Sequence, residues 1–305
     1  MALTLRTKEI LTGLIIIVVA FGWIFAGEAL LRIQQAWQFG GDADVESSDA
    51  YHIQPATGLR IPVPNATLGA LRFNSLGFRG PEIELPKPPD RLRVAFVGSS
   101  TVLDPYVGED SETWVAQAMA TLATEFPKCQ FDYVNAGVPG FSLESMALHY
   151  KANVAKVQPD LVVAWTGGMN SILDKHAIEA NLHRGPHYVP SLLARVSLFW
   201  SKVEMNAIVL QRQRAAYRES GMLNQKVYPI TDEYRQNLKK MYDAAAESGA
   251  MIAMLPVPGW LREGVARELY EEAAKTDVFF MPYMTYEGLV SARSRFDEAL
   301  TEFAS

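Results

Sequence analysis

Four short stretches of this 305-residue chain run apolar without the alternation of a half-buried strand, and each gives way to small residues or proline. They are RVAFVG (Arg93 to Gly98), FDYVNAG (Phe131 to Gly137), LVVAWTG (Leu161 to Gly167) and MIAMLPVP (Met251 to Pro258). A strand with no polar side is buried on both faces, and amphipathic stretches lie between these runs. The pattern predicts a parallel sheet covered by helices on both sides. Ser111 is placed to cap a helix from Glu112 to Phe126. Ser142 is placed to cap one that stops before Pro159, and Thr231 to cap TDEYRQNLKKMYDAAAESG, with Gly249 at its C-cap.

The chain begins with a different kind of element. Ile10 to Gly27 holds no charge in 18 positions, a length of roughly 27 Å as a helix. Arg6 and Lys8 precede it and Glu28 follows, so the positive-inside rule puts the N-terminus in the cytoplasm and the rest outside it. A cleaved signal peptide fits less well, because Ala26-Gly27-Glu28-Ala29 is a poor small-residue cleavage site. Ala29 to Phe39 keeps helical register and carries Trp37, as an interfacial continuation would. The expected organisation is three-part. Residues 1–39 are tip, transmembrane anchor and interfacial helix; 40–90 are a stalk and lead-in; 91–305 are the α/β domain, with a helical insertion around 183–230. The expected address is the bacterial inner membrane, single-pass, with the main domain periplasmic. The lipid bilayer is the partner of residues 10–31.

Composition narrows the function. A net charge of −6 supplies no basic field to collect phosphates, which argues against nucleic acid as a partner. A single cysteine, Cys129, excludes an internal disulfide and is read as a small buried residue before a strand. No Gly-x-Gly-x-x-Gly, phosphate loop or paired-histidine metal motif is present, so no cofactor is expected. Residues 190–218 carry more apolar surface than one helix face needs. That surface serves core packing, a membrane surface or a partner chain.

In parallel α/β sheets the working groups gather beyond the C-terminal ends of the strands. Three such ends carry small polar residues: Gly98-Ser99-Ser100-Thr101, Asn135 to Gly140, and Gly167-Gly168-Met169-Asn170. A serine on a tight turn can be exposed as a nucleophile, while glycine N–H groups and an asparagine amide can serve an oxyanion. In this order they resemble the SGNH (GDSL-like) hydrolase family over roughly residues 72–304, including FNSLGFRGPE (Phe73 to Glu82) and YRQNLKKMYDAAAESGAMIAMLPVP. The resemblance implies a three-layer α/β/α, flavodoxin-like parallel sheet. It makes Ser100 the nucleophile and forms the oxyanion hole from the N–H groups of Ser100 and Gly140 and the side chain of Asn170. The family's Gly-Asp-Ser is here Gly-Ser-Ser, and its Gly-x-Asn-Asp is here Gly168-Met169-Asn170-Ser171.

The family's base is a histidine in an Asp-x-x-His block after a fifth strand, and no histidine follows His187 here. A serine without a base is a weak nucleophile at neutral pH. His176 beside Asp174 reads as a loop histidine, His149 as a partly buried helix residue, and His183 and His187 flank Arg-Gly-Pro off any common helix face. The expected function is therefore a membrane-anchored extracytoplasmic subunit with a catalytically lapsed SGNH-like domain, held among membrane-protein partner chains. The alternative is a cell-envelope serine ester hydrolase or O-acyltransferase that uses Ser100 with a base from elsewhere. Without a fifth strand, the fourth becomes a sheet edge that needs cover.

Overall fold

The structure, a computed structural model, describes residues 5–39, 49–167, 169, 171–173, 175, 189–218, 228–257, 264–281 and 284–305. Helix α1 (Leu5–Phe39) is followed by two small hairpins, β1 (Tyr51–Ile53) with β2 (Arg60–Pro62) and β3 (Thr67–Leu68) with β4 (Leu71–Arg72). The main sheet holds β5 (Arg91–Gly98), β6 (Gln130–Gly137), β7 (Leu161–Trp165) and β8 (Met251–Leu255). All its pairings are parallel, in the order β6-β5-β7-β8. The helices are α2 (Ser100–Leu103), α3 (Trp114–Glu125), α4 (Leu143–Ala152), α5 (Leu192–Val196), α6 (Leu198–Arg218), α7 (Tyr228–Glu247), α8 (Arg267–Phe280) and α9 (Tyr286–Ala304).

The unbroken apolar runs have the expected cause. Along β5, Ala95 and Val97 face one core with the lead-in, α4, α7 and α9. Val94 and Phe96 face a second core with Val115 and Met119 of α3. Both faces are dry, so the strand shows no period of two. The result is a three-layer α/β/α arrangement with a parallel, flavodoxin-like strand order. One N-terminal helix, Ile10–Gln34 in its apolar part, is long and apolar enough to cross a membrane. Among the described residues β8 is an edge strand, with Met251 exposed and Ile252 to Leu255 half-buried.

Several local expectations are corrected. Ser111 lies in a 3₁₀ turn, Asp110–Glu112, and the cap of α3 is Thr113, whose Oγ1 accepts from the N–H of Ala116 at 3.2 Å. Ser142 caps α4 as expected, accepting from the N–H of Ser145. Helix α7 starts at Tyr228, ahead of Thr231, with Pro229 in its first turn, where a missing N–H costs nothing. Gly249 takes the left-handed conformation (φ 78°) just past α7. The insertion is two helices broken at Ser197 rather than one. Cys129 is exposed, because it sits in the turn between α3 and β6.

The lower end of the sheet is held by a buried ion pair. Arg93 on β5 is fully buried and grips Asp132 on β6 with two bonds, Nε to Oδ1 at 2.8 Å and Nη2 to Oδ2 at 2.7 Å. It also donates to the carbonyls of Val157 and Glu84. Asp160 accepts from the Arg93 N–H at 2.7 Å and pairs with Lys87 of the lead-in. Removing one partner of such a pair strands the other charge in a dry site. Arg93→Ala is expected to cost about 3–5 kcal/mol, read as an earlier urea midpoint for the full chain in detergent.

Candidate functional site

The sheet order reverses direction between β5 and β7, and in open α/β sheets the crevice at that point is where ligands bind. Ser100 sits at its edge, half-buried, as the first residue of α2 directly beyond β5. Thr166 and Gly167 follow β7 on the other side. Thr166 donates from Oγ1 to the Leu255 carbonyl at 2.7 Å, and the buried Tyr234 hydroxyl donates to the Thr166 carbonyl.

Two glycines make the Ser100 turn possible. A Cβ on Gly98 would lie 2.2 Å from the Val102 side chain, and one on Gly137 would lie 2.2 Å from the Leu103 nitrogen. Their bare backbones let α2 settle onto the ends of β5 and β6, whose Gly98 and Gly137 are register partners. Asn135 then fixes α2 from below. Its Nδ2 donates to the Val102 carbonyl at 2.7 Å, and its Oδ1 accepts from the Gly137 N–H.

The other end of α2 is closed by a residue that sequence reasoning missed. Arg79, in the lead-in, is 1% exposed. Its Nη1 donates to the carbonyls of Leu103 (2.9 Å) and Asp104 (2.5 Å), its Nη2 to that of Val107, and its Nε to Asp110 Oδ1 at 2.8 Å. Its own N–H donates to the Asn135 carbonyl. Through its guanidinium and its backbone N–H, Arg79 therefore joins lead-in, α2 and β6 in one network. The only signal in the sequence is its place in FNSLGFRGPE.

Of the site residues expected from sequence, Ser100 and Gly140 stand at the ends of neighbouring strands. Gly140 is exposed, at φ 77°, in the turn that leads to α4. Asn170 and Gly168 lie outside the described residues, as do Asp174, His176, His183 and His187. Among the described residues no group of three or more His, Cys, Asp or Glu side chains is placed to hold a metal ion.

His149 is more deeply buried than expected, at 3% exposure. Its ring meets Phe78 and Phe141 edge to face, with centroids 6.2 and 5.5 Å away. Asn153 Nδ2 lies 3.0 Å from Nδ1, so Nδ1 accepts and the proton sits on Nε2, which has no hydrogen-bond partner among the described residues. Loss of hydration pulls its pKa down to about 4. The fold thus holds this imidazole neutral, and its contribution is complete above the unfolded-state pKa near 6.5. As pH falls from there through 4, the unfolded chain takes up the proton first and stability drops, by about 3 kcal/mol in all. In His149→Phe this acid-side loss is expected to flatten in urea midpoints measured between pH 7 and 4. Arg79→Met removes the guanidinium from three carbonyls, of which that of Asp104 keeps the Val107 N–H, and hydrogen exchange at the amides of Leu103 and Asp104 is expected to accelerate at least tenfold, about 1.4 kcal/mol.

No protein-family model matches the chain, and no curated protein matches its sequence. Solved structures do. The acetyl xylan esterase AlAXEase is 9% identical with a TM-score of 0.37, covering 70% of this chain and 74% of that one. A catalytic mutant of Axe2, an acetylxylan esterase from Geobacillus stearothermophilus, is 11% identical with a TM-score of 0.38, covering 70% and 71%. TesA is 18% identical with a TM-score of 0.33, covering 70% and 98%. The parallel order β6-β5-β7-β8, with helices on both faces and a serine turn at the point of reversal, gives this chain a three-layer, flavodoxin-like α/β fold.

Proposed function

We propose that this chain is a membrane-anchored extracytoplasmic subunit whose SGNH-like domain serves as a structural component of a membrane protein complex. In this reading α1 is the single span, the N-terminus is cytoplasmic and the domain stands in the periplasm. The observation that carries it is the use made of the Ser100 turn. The carbonyls of Val102, Leu103 and Asp104 are spent on Asn135 and Arg79, which lock the lead-in to the sheet. The histidine of the neighbouring layer, His149, is engaged by Asn153 at one nitrogen and wedged between two phenylalanines. Those contacts build a rigid corner.

A second reading, ester hydrolysis or O-acyl transfer, is favoured by the position of Ser100. It is half-buried at the C-terminal end of β5, at the point where the sheet order reverses, with the Gly140 turn on the adjacent strand. The Ser100 oxygen would attack the ester carbonyl, the N–H groups of Ser100 and Gly140 and the amide of Asn170 would hold the tetrahedral oxyanion, the ester C–O bond would break with the alcohol leaving as it takes the serine's proton from the base, and water or a sugar hydroxyl would then take the acyl group and free Ser100. That chemistry needs a base that takes the Ser100 proton.

A fluorophosphonate probe separates the two. For the purified full chain, the structural reading expects no labelling above the Ser100→Ala background. Labelling that disappears in Ser100→Ala establishes acyl chemistry and removes the structural reading.

A further inference from the structure

The insertion α5–α6 meets the anchor at one charged residue. Glu28, on α1, accepts from the Ser197 hydroxyl at 2.9 Å and from the N–H groups of Leu198 (3.1 Å) and Phe199 (2.8 Å). It therefore caps the first turn of α6 from another helix. Arg32, one turn on, pairs with Glu28 and donates to the Val196 carbonyl at the end of α5. Beside Glu28, the Phe199 ring lies against Gly27, where a Cβ would come within 3.1 Å of it.

This contact fixes the depth of the insertion. Glu28 is the first charge after the 18 uncharged residues of α1, so it marks the level at which the span leaves hydrocarbon. Helix α5 and the first turns of α6 are bonded to that level. They also hold apolar side chains turned to the outside: Leu192 is 79% exposed, Leu193 58%, Val196 70%, Trp200 38% and Val203 42%. Exposed Arg195 and Lys202 stand among them, with half-exposed Arg32 one turn beyond Glu28. Trp200 donates its indole N–H to Glu204, keeping one polar edge satisfied and the ring free to pack. Leucine and valine beside arginine, lysine and tryptophan, at the end of a span, is the side-chain mixture of an element lying in the headgroup–acyl boundary.

We propose that α5 and the first turns of α6 form an interfacial foot, which lies in the surface layer of the same bilayer that α1 crosses. The occupant of the exposed patch is lipid. The proposal rests on α1 being a span but not on which side of the membrane the domain stands, since the foot is on the domain side in either orientation. Glu28 and Arg32 are the residues that hold the foot at its level.

The test uses the full chain in vesicles of phosphatidylethanolamine and phosphatidylglycerol. In a Cys129→Ser background, single cysteines are placed by Leu193→Cys, Val196→Cys, Ile17→Cys and Tyr242→Cys, all at exposed positions, and labelled with an environment-sensitive fluorophore. Lipids carrying a spin label near the headgroup or deep in the acyl chain then report depth. The expected result is quenching of the 193 and 196 probes by the shallow label about twofold stronger than at position 242. The probe at 17 should be quenched by the deep label. Probes at 193 and 196 that behave like 242, while 17 is quenched deeply, remove the foot and leave the span. A probe at 17 that the deep label does not reach removes the span and the foot with it. A blue-shifted emission at 193 and 196 without lipid quenching places protein over the patch and overturns the proposal.

Discussion

One guanidinium carries the organisation of the site end of the sheet. Arg79 is buried, and five of its bonds go to parts of the chain that local structure alone leaves unconnected: the carbonyls after α2, Asp110, and the backbone of β6. Helix α2 is a single turn, too short to hold itself by internal bonds. Its position follows from Arg79 at one end, Asn135 beneath, and the bare backbones of Gly98 and Gly137 against which it rests. The lead-in belongs to the domain for the same reason. Phe73, Phe78 and Leu71 share a core with Ala95 and Val97, and Arg79 connects that core to the serine turn.

Such a corner is compatible with catalysis and with none, because rigidity around a nucleophile is a prerequisite of acyl transfer rather than its cause. What converts a held hydroxyl into a nucleophile is a group that accepts its proton. The chemistry of His149 points elsewhere. A histidine kept neutral by burial, with its acceptor nitrogen occupied and its ring edge to face with Phe78 and Phe141, acts as a shaped core residue sensitive to acid.

The sheet was legible because its signal is local. Runs such as RVAFVG are apolar at every position only when both faces are covered, and the order of runs and amphipathic stretches leads to a parallel sheet. Helix starts were less legible, since several hydroxyl residues compete for each cap. Ser111 and Thr113 both qualify, and the 3₁₀ turn over Asp110–Glu112 decides for Thr113. Ser100 and Gly140 could be placed at strand ends from their neighbours alone. Arg79 could not be given its role that way, because its side-chain partners lie 24 to 31 residues away and nothing periodic connects them. The Glu28 contact was further out of reach, joining residues 169 to 171 positions apart. Burial misled at Cys129, where a usually buried residue type occupies an exposed turn.

Helix α1 runs unbroken from Leu5 to Phe39, and the start of α6 is bonded to it at Glu28. Helix α6 in turn packs on α8, so the connection continues from α1 into the body of the domain. A transmembrane helix meets a thinner or thicker bilayer by tilting. With no break in α1 between span and contact, that tilt turns α6 through the same angle. With α1 as the proposed span, bilayer thickness thereby becomes a mechanical input to the orientation of the whole sheet relative to the membrane plane.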